Sequence, residues 1–293
     1  MTEPDDALRS LAFGIAYRML GSVAEAEDVV QEALLRLHGE DDVENPEAFL
    51  TTVTTRLALD VLRSARVRRE AYVGEWLPEP LVEPEAPGRV EREETVSLAF
   101  LLLLERLSPD ERAVLVLREA FDTPFAEMGR ILGKTADNCR QILSRARRAI
   151  QKDRPRFEAD PGQRRALAGL FLHAARGGDM DGLIALLAPD AALIGDGGGK
   201  ARSLPRPMAG APQVARALAA FYRLGDEAGI TLEPVTVNGH PGYRSLDADG
   251  RVVNVVGLDI RDGRVTRIYS ILNPDKLAHL GAVSELGLRP SHH

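Results

Sequence analysis

The 293-residue sequence predicts a multidomain protein: two all-α domains, the second carrying a helix-turn-helix, then an α+β domain with a curved antiparallel sheet. Three observations predict it. Apolar residues recur at helical spacing through the first half, with a capping residue at each restart. Residues 73–95 break that pattern with four prolines (Pro78, Pro80, Pro84, Pro87), seven acidic residues and the only tryptophan, Trp76. The last third turns to two-residue alternation punctuated by "ADG" and "RDG" turns.

The first helix carries Leu8, Leu11, Ala12, Ile15, Ala16, Met19 and Leu20 on one stripe and ends at Gly21, a left-handed cap. Ser22 opens the second, with Glu25 three residues on to complete a capping box. That helix buries Ala26, Val29, Val30, Ala33, Leu34 and Leu37 and turns Asp28, Gln31 and Glu32 outward. Pro46 in "ENPEAF" starts a long third helix, apolar early and basic late. Residues 73–95 read as an extended linker and not as a packed element.

Helices resume near Thr95. Ser108 and Pro109 start "LSPDERAVLVLREA", Thr123 and Pro124 start "DTPFAEMGRILG", and Thr135 starts "KTADNCRQILSRARRAIQKDR". Two short helices about a turn that holds Gly133 have helix-turn-helix proportions. Pro161–Gly162 marks the next boundary. Beyond it come the helices "QRRALAGLFLHAARGG" and "MDGLIALLAP", a strand "AALIG", the helix "GAPQVARALAAFYRL" and a run of antiparallel strands.

Composition narrows the function. Hydrophobic residues make up 44% and charged residues 28%, as in soluble globular proteins. No apolar run approaches the roughly 18 residues of a membrane span, so no membrane partner is expected. The acidic N-terminus lacks an apolar signal core, and a cytoplasmic location is expected. A single cysteine, Cys139, excludes an internal disulfide and a cysteine-clustered metal site. No metal or cofactor is expected.

The net charge of −7 argues against nucleic acid until its distribution is read. Residues 1–72 carry 8 basic and 14 acidic side chains, and residues 73–95 carry 2 and 7. Residues 134–156 reverse this with 8 basic and 2 acidic. The second helix of a helix-turn-helix enters the DNA major groove with its N-terminal residues at the base edges. Its exposed face here holds Lys134, Thr135, Asp137, Asn138, Arg140, Gln141, Ser144, Arg145 and Arg148, and its apolar face Ala136, Cys139, Ile142, Leu143 and Ala146. Asn, Gln and Arg pair with adenine or guanine edges, and Arg147 and Arg148 suit phosphates. Cys139, on the apolar side, reads as a structural thiol.

"DGGGK" (196–200) after a strand suggests a phosphate cradle, but a P-loop needs GxxxxGK followed by Ser or Thr and then a helix. Ala201 follows Lys200, and "RSLPRP" breaks any helix. The stretch reads as a loop whose glycines allow close backbone approach.

The segments "AYRMLGSVAEAEDVVQEALLRL", "NPEAFLTTVTTRLALDVLRSAR" and "LSPDERAVLVLREAFDTPFAEMGRILGKTADNCRQILSRARRAI" resemble the two conserved domains of bacterial extracytoplasmic-function sigma factors. "WLPEP" (76–80), "DGGGK" and "NPDKL" (273–277) resemble signature segments of the subgroup with a C-terminal SnoaL-like domain. The resemblance implies a sigma domain 2 at 1–72, a linker at 73–95, a sigma domain 4 at 96–160 and a SnoaL-like regulatory domain with a tail at 161–293. It implies that Asp28, Gln31 and Glu32 dock on core RNA polymerase. Thr54, Thr55, Arg56, Asp60 and Arg63 would read the −10 promoter element, and the helix from Thr135 the −35 element. "LTTVTTRLA" stands where many family members carry an aromatic-rich or Asn-containing stretch.

SnoaL-like folds resemble cyclases and isomerases with a cone-shaped cavity. An enzyme fused to a DNA-binding module is therefore one alternative, with His173, Asp190, Asp196, Tyr222, Tyr243 and Tyr269 as candidate groups; a non-catalytic cavity for a small ligand is another. A regulator that binds DNA without polymerase is a third. The favoured expectation is a non-enzymatic domain acting in cis on the sigma domains. Trp76, Leu77 and Pro78 of the linker, Asp196 and Lys200 of the loop, and Asn273, Pro274, Asp275, Lys276 and Leu277 of the tail are the expected contacts, with Trp76 as the apolar anchor.

Overall fold

A computed structural model describes residues 3–84, 96–151 and 160–288. Pro87, Lys152, Arg154 and Arg156 lie outside the described residues. The chain divides into two compact units, one of Met1–Ala71 with Phe100–Arg154 and the other of Tyr72–Ala99 with Pro155–His293.

The first unit is helical. Helices α1 (Glu3–Leu20), α2 (Val23–His38) and α3 (Pro46–Glu70) pack together. Gly21 has φ 66°, and the Ser22 hydroxyl accepts from the Glu25 amide, so the turn between α1 and α2 forms as its residues require. Ile15, Met19, Leu20, Val30, Ala33 and Leu50 are fully buried. Helix α4 (Leu98–Leu104) leads into α5 (Pro109–Phe121), which is closed at its start by a full capping box between Ser108 and Glu111. Arg112, nearly sealed from solvent, donates to the Met19 carbonyl at 2.7 Å and pairs with Glu105 at 2.7 Å, tying α5 to the end of α1.

Helices α6 (Phe125–Leu132) and α7 (Ala136–Ile150) form the helix-turn-helix. Gly133 takes φ 64°. A Cβ on Gly129 would stand 2.6 Å from the Lys134 carbonyl oxygen, so only glycine lets the turn fold back on α6. Thr123 does not cap α6: its amide donates to the Leu117 carbonyl and Pro124 takes the cap position, because Asp122 has already turned left-handed at the end of α5.

The second unit is α+β. Helices α8 (Pro161–Gly177), α9 (Met180–Leu186) and α10 (Ala211–Glu227) cover one face of a seven-stranded sheet in the order β1-β4-β5-β6-β7-β2-β3. The strands are β1 (Val82–Pro84), β2 (Leu187–Asp196), β3 (Met208–Ala209), β4 (Thr231–Val237), β5 (His240–Leu246), β6 (Val252–Arg261) and β7 (Arg264–Ile271). All pairs are antiparallel except β2 with β7. Register shifts in three ladders supply the bulges that curve a sheet. Phe171, Leu183, Val214, Leu258 and Ile268 fill the core between helices and sheet. A short helix α11 (Pro274–Leu277) and a 3₁₀ turn (Ala278–Leu280) follow β7.

The linker departs from its sequence reading. Residues 77–80 are buried, and β1 pairs with β4 as the edge strand of the sheet. Prolines stop the segment from folding on itself, but the amides of Leu77 and Leu81 and the carbonyls of Leu77, Pro80 and Leu81 are bonded by other parts of the α+β unit, and an extended chain can then pack.

Replacement of Gly129 by alanine is expected to lower the unfolding free energy by about 1–3 kcal/mol in urea titration, since backbone cannot yield to the new methyl. Gly169→Ala, where a Cβ meets open space on α8, is expected to be neutral or mildly stabilising.

Candidate functional site

The recognition face of α7 forms as the pattern requires. The Thr135 hydroxyl accepts from the Asn138 amide, and Cys139, Ile142, Leu143 and Ala146 are buried, while Ala136 is half-buried. Burial pushes the Cys139 thiol pKa up, which suits an inert structural thiol. Asn138, Arg140, Gln141, Ser144, Arg145 and Arg148 are all exposed. Arg140 pairs with Asp137 and lies over the Phe125 ring, Arg147 pairs with Glu119 at 2.6 Å, and Lys134 is held by Asp110 at 2.8 Å. The residues offered outward are thus the amides, Ser144 and the arginines one turn in.

On α2, Asp28, Gln31 and Glu32 are exposed as expected, and Leu35 joins them on the same face with 69% of its surface in solvent. The residues of α3 behave differently. Thr54 and Thr55 are fully buried, and their hydroxyls have no hydrogen-bond partner among the described residues. They offer DNA no surface in this structure, a correction that follows from their burial where α3 packs against the other helices of the unit. Arg56 donates to the carbonyls of Ile131 and Arg130 at 3.0 and 3.1 Å, where the C-terminal end of α6 favours a cation. Arg63 lies 3.4 Å from Asp60 and 3.5 Å from Asp110. Of the five −10 candidates, two are internal and two contact α5 or α6.

The second unit brings the three short motifs to one place. Asp196 and Lys276 form an ion pair at 2.6 Å, with side chains 0% and 7% exposed. Asp196 also accepts from the Tyr72 hydroxyl at 2.6 Å, the Leu77 amide at 2.8 Å and the Gly198 amide at 3.0 Å. Lys276 donates to the Leu77 carbonyl, and its ammonium lies 4.3 Å from the Trp76 ring centre and 4.8 Å from that of Tyr72. Asn273 donates to the Tyr72 hydroxyl at 2.8 Å, and burial with the Asp196 bond pushes the Tyr72 phenol pKa upward. The glycines of "DGGGK" make room. A Cβ on Gly198, at φ 56°, would meet Asn273 at 2.2 Å and the Tyr72 hydroxyl at 3.0 Å.

Further along, His279 Nε2 bonds the Pro80 carbonyl at 2.9 Å. The amide of Leu81 donates to the Asn238 side chain, the Asn238 amide donates to the Leu81 carbonyl, and Asn238 Nδ2 donates to the Val96 carbonyl. Leu98 seats against Gly257.

Asp196 faces the linker as the buried centre of the knot, while Lys200 stays outside, paired with the exposed Asp275 at 2.6 Å. One expectation changes here. Leu77, at 1% exposure, is the apolar anchor, while Trp76 covers the ammonium. Pro78 and Leu277 are buried beside it. Sequence reasoning missed Tyr72, Asn238 and His279. Tyr72 stood only as the last residue of the expected sigma domain 2, and no motif marked Asn238 or His279.

The concave face of the sheet and α10 enclose a cavity of about 390 Å³. Leu193, Leu218, Val256 and Ile268 form much of its wall, with Tyr222 and Tyr243. Tyr243 donates to the Ala168 carbonyl at 2.6 Å, and burial pushes the Tyr222 phenol up. Of the candidate catalytic groups only Tyr222 and Tyr243 meet in this wall. His173 and Asp190 are exposed, Asp196 belongs to the knot, and Tyr269, between the wall residues Ile268 and Ser270, points to the other face of the sheet. Among the described residues no helix is long and apolar enough to cross a membrane, and no cluster of three or more His, Cys, Asp or Glu could hold a metal.

A helix-turn-helix with an exposed polar reading face, joined to a second helical bundle, defines a DNA-binding transcription protein. The families Sigma-70 region 2 and Sigma-70, region 4 match residues 6–68 and 97–150. The chain is 38% identical over 284 residues to ECF RNA polymerase sigma factor SigJ of Mycobacterium tuberculosis, covering 92% of this chain and 91% of the relative. It is 34% identical over 287 residues to probable sigma factor SigI of the same organism, covering 96% and 95%. The crystal structure of SigJ from M. tuberculosis superposes with a TM-score of 0.78 at 35% identity over 95% of this chain and 98% of that one. The chain belongs to the extracytoplasmic-function RNA polymerase sigma factors.

Two outcomes are expected from these contacts. Thr55→Val removes an unpaired buried hydroxyl and should raise stability by about 1 kcal/mol in thermal unfolding, with transcription unchanged. Lys276→Met strands the buried Asp196 carboxylate and should cost about 3–5 kcal/mol of the second unit's stability, measured by urea unfolding.

Proposed function

We propose that the chain directs core RNA polymerase to promoters through its helical unit, and that the α+β unit regulates it in cis by gripping the linker. The single observation that carries the second half is the convergence of "WLPEP", "DGGGK" and "NPDKL" on the Asp196–Lys276 pair. The linker is the one covalent path between the regions matched by the two sigma families, so whatever holds it limits their spacing. Because the gripping domain is fused, its effective concentration is high and modest contacts suffice.

In this reading the exposed face of α7, with Asn138, Arg140, Gln141, Ser144, Arg145 and Arg148, reads the −35 element, and Asp28, Gln31, Glu32 and Leu35 dock on polymerase. Arg56, Asp60 and Arg63 serve the −10 element once the α5 and α6 contacts of the two arginines open. In this reading the protein acts in the cytoplasm, alongside the polymerase it serves. The scatter of His173, Asp190 and Tyr269 away from the cavity favours a non-catalytic α+β unit over a fused enzyme.

Run-off transcription with core polymerase tests the reading. Arg145→Ala should lose about 1–3 kcal/mol of discrimination at one promoter position, whereas Arg148→Ala should weaken all sequences alike and lower the salt slope by about one. Asp196→Asn should change promoter activity at unchanged helix content by circular dichroism. Unchanged transcription removes the cis-regulatory half; no association with core polymerase removes the first.

A further inference from the structure

We infer that the cavity of the α+β unit is a receptor site for a small, neutral, mainly apolar molecule bearing a hydrogen-bond donor, and that its occupancy tightens the hold on the linker. The site itself stands on the cavity alone; its effect on the linker rests on the regulatory reading above.

The volume, about 390 Å³, lies within the range of small-molecule sites, and most of the wall is aliphatic or aromatic. Two polar atoms in that wall are buried with no partner among the described residues: the Ser203 hydroxyl oxygen and the Asn254 side-chain carbonyl oxygen. Asn254 donates through Nδ2 to Ser270 at 3.2 Å, which orients its amide and leaves the acceptor end uncommitted. A buried acceptor without a donor is destabilising, and a ligand hydroxyl or amide that supplies one removes the defect. The charged lining residues, Arg202 and Asp226, are both exposed. The interior therefore offers an ion no counter-charge, and a neutral ligand follows. Phe221, 49% exposed near Asp226 on α10, marks the entrance.

The wall and the knot share backbone. Gly195 and Leu272 line the cavity, and the next residues, Asp196 and Asn273, belong to the knot. The amides of Leu272 and Asn273 both donate to the Asp196 carbonyl at 2.7 and 3.0 Å. A Cβ on Gly195 would stand 2.4 Å from the Ser203 hydroxyl, so the uncommitted hydroxyl lies directly against the strand that carries Asp196. Ordering this wall orders the strand ends that hold Leu77.

The test uses the full chain and two fluorescent probes, 1-pyrenemethanol and 1-methylpyrene, which differ in the hydroxyl. The alcohol should bind saturably and about tenfold more tightly than the hydrocarbon. Asn254→Leu should bring the two affinities together, and Val253→Trp, which fills the cavity, should weaken both. Hydrogen exchange of the Leu77 amide should slow when the alcohol is bound. Absence of saturable binding, or equal affinity for both probes in the unaltered chain, overturns the site. Binding with the expected preference but unchanged Leu77 exchange overturns the link to the linker. Neither result depends on the transcription of Asp196→Asn, so failure of the site and failure of cis regulation are read separately.

Discussion

Asp196 and Lys276 are both withdrawn from water, and either charge left alone in that place would cost several kcal/mol. The pair is tolerable because every neighbour completes it. Tyr72, Leu77 and Gly198 donate to the carboxylate, and the Leu77 carbonyl with two aromatic faces receives the ammonium. Four of these partners, Tyr72, Trp76 and both backbone groups of Leu77, come from the linker or its edge. A buried ion pair adds little net stability compared with an apolar core, but it is exacting about its partners. The linker is held in one register because any slip would leave a buried charge uncompensated. The glycine positions, the Asn273 side chain and the strand end at Asp196 all follow from that requirement.

The helical unit shows the complementary economy. Exposed arginines line the outer face of α7, while Arg56, Arg63 and Lys134 are engaged by carbonyls and by Asp110. Cations already paired within the protein contribute little to attracting free DNA, and the acidic α2 and linker oppose it further. In the proposed function, promoter contact then depends on polymerase.

Much of the fold was legible because local signals agreed. Gly21, Ser22, Ser108, Gly133 and Thr135 each act in the structure as their residue types dictate, and the helix-turn-helix face of α7 needed only its periodicity. The knot was legible in parts: the three motifs were recognisable, and they were expected to carry the contacts by which the last domain acts on the sigma domains or their linker. What the sequence could not carry was depth. Asp196 and Lys200 sit four residues apart in one loop, yet one is sealed and the other is exposed, because only the first lies where β2 meets the tail. Thr54 and Thr55 show the same limit: the resemblance carried over their positions in α3, and it carried no information on their burial. The linker's prolines told of an extended chain and were silent on whether anything would grip it.

The central claim is that the Asp196 carboxylate holds the linker in place. The sole tryptophan, Trp76, reports on it through acrylamide quenching of its fluorescence in the full chain. Asp196→Asn removes the charge that anchors Lys276 while leaving the indole untouched, and the account predicts a clear rise in the quenching constant with the fold intact. A quenching constant equal to that of the unaltered chain would mean that the linker is held without the pair and would contradict the account.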